Sequence, residues 1–265
     1  MTVRMETRSL GDRHNPPLVF LHGFMGSGAD WLPVAEHFKE NFYCLLPDLP
    51  GHGATPLDAH PGYASWSVLL KETLAVRHIE RMGLIGYSLG GRLALSFTLT
   101  YPNMVARLVL ESASPGLSDP QERQLRAKRD EALAASILQE GLEAFISRWY
   151  DLPLFASLNR HPNLKAELSR QRVLQSAQDI ATVLNALSPG RQPDLSARLP
   201  ELVAPTLLIS GRLDRKYTEL TRHMAQAVPN SRLASLAGCG HNLHRECPAG
   251  YVAQLQDWLM ATGYR

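Results

Sequence analysis

Cysteine is scarce in this 265-residue chain, and long apolar runs are missing. Three cysteines, Cys44, Cys239 and Cys247, do not make a disulfide framework and suit a reducing compartment. No apolar segment approaches the roughly 20 residues that a membrane-crossing helix needs. Met1 to Pro17 carries charges and has no apolar centre of the kind a secretion signal requires. Lys and Arg total 27 against 25 Asp and Glu, with no long block of one sign, so nothing points to nucleic acid or a membrane surface as partner. Internal repeats and low-complexity segments are also lacking. Together these absences predict a cytoplasmic protein, a monomer in the simplest case.

What is present is a hydrophobic fraction of 45%, enough for one large α/β domain with or without an inserted cap. Val3 to Leu10 reads as an edge strand, and Leu18-Val19-Phe20-Leu21 as a fully buried one. Trp31 to Phe38 is a predicted helix with Asp30 as its N-cap. Cys44-Leu45-Leu46 is another short buried strand, and Ser65 to His78 an amphipathic helix. A strand before Ser88, a helix from Leu89 to about Tyr101 and a strand at Leu108-Val109-Leu110 continue the alternation, which indicates βαβ units and a parallel sheet. From Asp119 to about Arg191 the pattern is helical throughout. Strands return at Leu207-Leu208-Ile209 and Arg232 to Leu236, and a helix near Ala249 to Met260 closes the chain. The expected organisation is a core of residues 1–118 and 192–265 with a helical lid, 119–191, over the carboxyl ends of the strands, where open α/β sheets bind ligands.

The densest chemical signal is Gly86-Tyr87-Ser88-Leu89-Gly90. An apolar run stops at a serine between glycines and a helical pattern starts at once, which is the context a nucleophile elbow requires. A serine hydroxyl needs an imidazole beside it, and the imidazole a carboxylate to orient it. On this scaffold they follow in the order serine, acid, histidine. Gly211-Arg212-Leu213-Asp214 places an acid after a buried strand, and Gly238-Cys239-Gly240-His241 places a histidine after the last one. Glu111, at the end of a strand, competes with Asp214, but the Gly-Arg-Leu-Asp setting favours Asp214. The oxyanion hole should combine the N–H of Leu89 with one from the His22-Gly23-Phe24 loop, Phe24 being the choice. His22 is expected to orient that loop rather than react, and His52 to serve a glycine-rich turn. Cys239, His241, His244 and Cys247 form a run that looks metallic, yet its separations are not those of known zinc patterns, so neither metal nor cofactor is expected.

Further segments share their order with one family: Asp48-Leu49-Pro50-Gly51-His52-Gly53, Gly90-Gly91-Arg92, Arg148-Trp149-Tyr150, Pro153 to Asn159 and Gly240 to Glu246. On these the chain resembles the 2-succinyl-6-hydroxy-2,4-cyclohexadiene-1-carboxylate synthases of bacterial menaquinone biosynthesis, members of the α/β-hydrolase superfamily. The resemblance runs nearly end to end, with a small insertion around residues 160–169. It implies elimination of pyruvate without hydrolysis, with Ser88, Asp214 and His241 moving a proton. It also implies that Arg92, Arg126 and Arg172 bind a tricarboxylate, beside Tyr87, Trp149 and Tyr150. Without it, Arg126 and Arg172 would pass for solvated lid residues among Arg123, Arg129 and Arg170, nearly balanced by Glu122 and Asp130, and the lid aromatics for packing. An esterase, thioesterase or C–C hydrolase using Ser88 as nucleophile fits the elbow motifs just as well; against a non-catalytic receptor stand the complete triad and oxyanion loop.

Overall fold

The computed structural model describes residues 4–57 and 61–264. Strands β1 (Thr7–Leu10), β2 (Pro17–Leu21), β3 (Tyr43–Pro47), β4 (Met82–Tyr87), β5 (Val105–Glu111), β6 (Thr206–Gly211) and β7 (Ser231–Leu236) form one sheet in the order β1-β3-β2-β4-β5-β6-β7. Only β1 runs antiparallel, against β3. The first strand is shorter than its sequence suggests, and Val3 lies outside the described residues. β4 and β6 are buried at every position, which is why they read as unbroken apolar runs rather than as alternation.

From β2 the chain steps outward to β3 and then returns across β2 to β4. That reversal puts the carboxyl ends of β2 and β4 side by side at the topological switch point, where doubly wound sheets leave a crevice. The loop at His22 leaves β2 and Ser88 follows β4, so topology alone brings the two together. Helix α3 (Leu89–Thr100) packs back against β4 with almost no space. A Cβ on Gly90 would come within 2.3 Å of the Leu21 carbonyl oxygen, and one on Gly86 within 2.4 Å of the Gly90 carbonyl oxygen. Both positions therefore demand glycine.

One correction concerns the segment after the first loop. It is not one helix capped by Asp30 but a 3-10 turn, Gly28–Trp31, leading into the short α1 (Leu32–Ala35). Ser27 precedes the turn, and Asp30 lies inside it, reaching back to the Ser27 N–H at 3.3 Å. Helix α2 (Tyr63–Ala75) follows β3.

Between β5 and β6 come only helices and turns: α4 (Pro120–Glu140), α5 (Leu142–Tyr150), a 3-10 stretch (Pro153–Arg160), α6 (Pro162–Arg172), α7 (Ala177–Ala186) and a second 3-10 stretch (Ser196–Glu201). The block has its own apolar cluster, built from Ile137, Phe145, Leu158, Leu168 and Ile180 and reaching Met25 of the first loop. Each such side chain contributes roughly 1.5–3 kcal/mol on burial, so this cluster helps to hold the helices of the block together. Helices α8 (Arg215–Ala227), α9 (Leu243–Glu246) and α10 (Pro248–Ala261) complete the chain. Among the described residues no helix is long and apolar enough to cross a membrane.

Candidate active site

The turn after β4 holds Ser88 at φ +50° and ψ −107°, a conformation that costs a non-glycine residue free energy. The Ser88 N–H donates to the Glu111 carbonyl at 2.8 Å, which pins the turn to the end of β5. Its Oγ then lies 3.0 Å from His241 Nε2, and His241 Nδ1 lies 2.7 Å from Asp214 Oδ2. A carboxylate can only accept, so Nδ1 carries the proton and Nε2 is left to accept from the serine. Asp214 is held from its other side as well. It caps α8, its Oδ1 accepting the Tyr217 N–H at 3.2 Å. The alternative acid has a different partner: both Glu111 carboxylate oxygens lie 3.0 Å from Nδ1 of His244. The structure thus joins Ser88, His241 and Asp214 and leaves Glu111 out of that chain.

Above Ser88 two histidines shape the loop after β2. His22 Nδ1–H donates to the Gly23 carbonyl at 2.8 Å, and its Nε2 accepts the Leu49 N–H at 2.9 Å. His52 Nε2 accepts the Met25 N–H at 3.1 Å. Both rings work as neutral imidazoles, and burial lowers both pKa values, that of His52 strongly. Between these ties the Phe24 N–H, like that of Leu89 at the start of α3, donates to no protein acceptor among the described residues. Two open amides at the cavity wall are what an oxyanion needs.

The two histidines also fix a pH response. An unfolded chain titrates them near the ordinary value of 6.5, whereas the folded one resists their protonation. The unfolded state therefore binds more protons below that value, and stability falls as pH is lowered through 6.5 toward the folded-state pKa values. Thermal melts between pH 7.5 and 5 should show a falling Tm, with a shallower slope in His52→Asn. A flat profile would remove this account.

The arginines differ from one another in what holds them. Arg92, one helical turn beyond Ser88, is buried, and its guanidinium donates to the Leu187 carbonyl at 2.9 Å, to Gln192 Oε1 at 3.4 Å and to the Tyr63 hydroxyl. All three are neutral, and among the described residues no carboxylate lies within ion-pair distance of it. Arg172 is instead clasped by Asp30, Nη1 to Oδ1 at 3.0 Å and Nη2 to Oδ2 at 2.6 Å, with both side chains buried. Burial opposes both charges, yet each partner favours the other's, so the Asp30 pKa is lowered and that of Arg172 raised. Arg245 joins Asp30 at 3.3 Å and Glu167 at 2.7 Å. Two guanidiniums thus share the buried Asp30 carboxylate, and the half-exposed Glu167 balances the second of them. Asp30, which reads as a helix cap in the sequence, is the centre of this cluster. Arg126 turns its Nε to both Asp130 oxygens at 2.9 and 3.0 Å, and its two terminal nitrogens meet no protein acceptor among the described residues.

Aromatic rings close the space between. Trp149 meets Phe24 edge-on at 5.3 Å and stacks on Phe145 at 5.5 Å, while Phe155 stands between Tyr150 and His241 at 5.3 and 5.8 Å. Tyr87 lies under the loop, so close that a Cβ on Gly23 would strike its ring at 2.5 Å. The cavity, about 550 Å³, is lined by all eleven residues assigned from the sequence to the triad, the oxyanion hole and substrate binding. Sequence reasoning used Phe155 only as part of the Pro153–Asn159 segment, and passed over Tyr63 and Tyr217, whose ring centroid is 4.6 Å from that of His241. Tyr217 had a signal, three residues beyond an N-capping aspartate; Tyr63 had none.

Among the described residues no group of three or more His, Cys, Asp or Glu side chains is arranged to hold a metal ion. His241 and His244 face different carboxylates. Burial and the neighbouring Cys247 push the Cys239 thiol up, away from the thiolate a metal binds.

The profile of the alpha/beta hydrolase family matches residues 18–255. A Bacillus subtilis protein named putative 2-succinyl-6-hydroxy-2,4-cyclohexadiene-1-carboxylate synthase is 36% identical over 261 residues, spanning 97% of this chain and 95% of that protein. The synthase of that name from Pectobacterium atrosepticum is 36% identical over 245 residues, 92% of this chain and 94% of its own. The solved structure of MenH from S. aureus superposes with a TM-score of 0.93 at 30% identity, over 99% of this chain and 100% of that one. An enol-lactonase from Burkholderia xenovorans, 21% identical with a TM-score of 0.83 over 97% of this chain and 96% of that one, shares the fold. By sequence and fold, the chain belongs to the alpha/beta hydrolase family and, within it, to the 2-succinyl-6-hydroxy-2,4-cyclohexadiene-1-carboxylate synthases, enzymes built on that scaffold.

Proposed function

We propose that the chain converts 2-succinyl-5-enolpyruvyl-6-hydroxy-3-cyclohexene-1-carboxylate to 2-succinyl-6-hydroxy-2,4-cyclohexadiene-1-carboxylate and pyruvate, and that Ser88 is the base. The observation that carries this is the hydrogen-bonded chain from Ser88 through His241 to Asp214, opening on a cavity that also holds the Arg92 guanidinium, which meets no carboxylate among the described residues.

The ring hydrogen α to the succinyl ketone is the acidic one, because its removal gives an enolate. Ser88 Oγ takes that proton as its own passes to His241 Nε2, and Asp214 steadies the imidazolium. The Phe24 and Leu89 N–H groups bond the carbonyl oxygen as it becomes an enolate. Electrons then move from the enolate through the ring double bond and break the C5–O bond. Enolpyruvate leaves, takes up a proton and becomes pyruvate. No water is consumed and no acyl-enzyme forms.

The substrate carries three carboxylates, and Arg92, Arg126 and Arg172 are the matching donors. A guanidinium keeps its charge on burial and offers parallel N–H groups to a carboxylate. Arg126 retains its terminal nitrogens for this, and Arg172 a buried Nε without a protein partner. Tyr87, Trp149 and Tyr150 complete the wall beside them.

The test is product analysis in ¹⁸O-labelled water. Pyruvate and the diene should appear in equal amounts, with no label in the diene. Preferential turnover of simple esters, or label in a product carboxylate, would instead make the chain a hydrolase.

A further inference from the structure

Two carboxylates outside the proposed chemistry lie buried against the loop that carries His241. That loop joins β7 to α9 and has no regular hydrogen-bonding ladder of its own. A side chain that must meet Ser88 on one edge and Asp214 on the other needs its backbone held on both sides. Glu246 does this directly. Its Oε2 accepts the Gly240 N–H at 2.8 Å and its Oε1 the Asn242 N–H at 3.0 Å, so one carboxylate grips the amide on each side of His241. Glu111 works from below. Its carbonyl accepts the Ser88 N–H at 2.8 Å, and its carboxylate takes both the His244 N–H at 3.2 Å and the His244 ring. The His244 ring is in turn stacked on Trp31 at 3.9 Å and meets Tyr87 edge-on at 4.9 Å. One residue thus ties the elbow to the histidine loop.

The chemistry of these groups matches that task better than a purely stabilising one. Burying a carboxylate costs free energy unless it is well bonded, and among the described residues no cation lies within ion-pair distance of Glu246. A glutamine of the same shape would present an N–H₂ to one of the two amides. Only a carboxylate accepts at both ends, and charge-assisted bonds of this kind are the stronger ones. From this geometry we infer that Glu246 and Glu111 are positioning residues, which set the reach of the His241 imidazole to Ser88 without touching substrate. The inference rests on the reading of His241 as the group that handles the proton.

The full-length chain with Glu246→Gln, Glu111→Gln, Glu246→Ala or His241→Ala would be compared with the unaltered protein. Three quantities matter: kcat and KM for pyruvate release, the rate at which a fluorophosphonate labels Ser88, and the thermal midpoint. A displacement of about 1 Å at a reacting group costs on the order of 10²-fold in rate. Glu246→Gln should therefore lose roughly 10- to 100-fold in kcat and in labelling rate together, and Glu111→Gln, whose one carbonyl oxygen can still accept from His244, a smaller factor in both, each with KM close to the unaltered value. Glu246→Ala should lose more, and if it fails to fold the glutamine variants carry the result. Folded Gln variants that keep both rates, or that raise KM while keeping kcat, would overturn the assignment. An inactive His241→Ala beside a fully active Glu246→Gln defeats the brace alone, whereas an active His241→Ala defeats the reading beneath it.

Discussion

Ser88→Ala should fold, bind substrate and release pyruvate about 10²- to 10⁴-fold more slowly, the range that a positioned general base contributes. Alanine has the same Cβ at φ +50° as serine, so the turn carries no new strain. The lost hydroxyl leaves His241 Nε2 facing the cavity, where water can reach it. KM should change little, because the arginines and aromatic rings that would hold the substrate are untouched. Single-turnover pyruvate release checks this. His241→Ala should be impaired to a similar extent, and the double variant hardly more than either, since residues that act as one unit are far from additive. Near-normal turnover by Ser88→Ala would move the base elsewhere, with the imidazole itself the next candidate.

Arg92 carries the second large effect. Its guanidinium is buried one turn from Ser88 and, among the described residues, faces only neutral acceptors, so none of them matches its charge. Removing one side of a buried, hydrogen-bonded charge pair costs about 2–5 kcal/mol, or roughly 30- to 4,000-fold in kcat/KM. Arg92→Ala should show this mainly as a higher KM. Arg92→Lys keeps the charge but loses the two-pronged geometry, and should fall between the two. The Leu187 carbonyl and the Tyr63 hydroxyl also lose a donor in Arg92→Ala, so Tm must be followed alongside. Unchanged kinetics in a folded Arg92→Ala would remove the carboxylate role.

Arg172 and Arg126 stand in a different position. Each already faces an aspartate, so a substrate carboxylate would add to an existing cluster rather than meet a bare charge. Charge counting along the chain hides this difference, because Arg172 and Asp30 are 142 residues apart. Asp30 reads as a helix cap for the same reason: its neighbours in sequence suggest one role, and its neighbours in space impose another. Glu111 is the mirror case. At the end of a buried strand downstream of Ser88 it competes in the sequence with the favoured Asp214, and the fold shows what it does instead: it faces His244 while Asp214 meets His241.

The sequence by itself determined the alternation of strands and helices, the elbow at Ser88, the order serine, acid, histidine and the helical block between β5 and β6. Each depends on near neighbours: an apolar run with no polar face, glycine where a Cβ would strike a carbonyl, an aspartate at the start of a helix. The tertiary structure alone decided that Glu111 faces His244, which arginine is left without a counter-charge among the described residues, and that the amides of Phe24 and Leu89 stay open at one cavity wall. Those are pairings between distant segments in a medium of low polarity. There, an ångström of separation decides whether two charges cancel or one remains for a ligand.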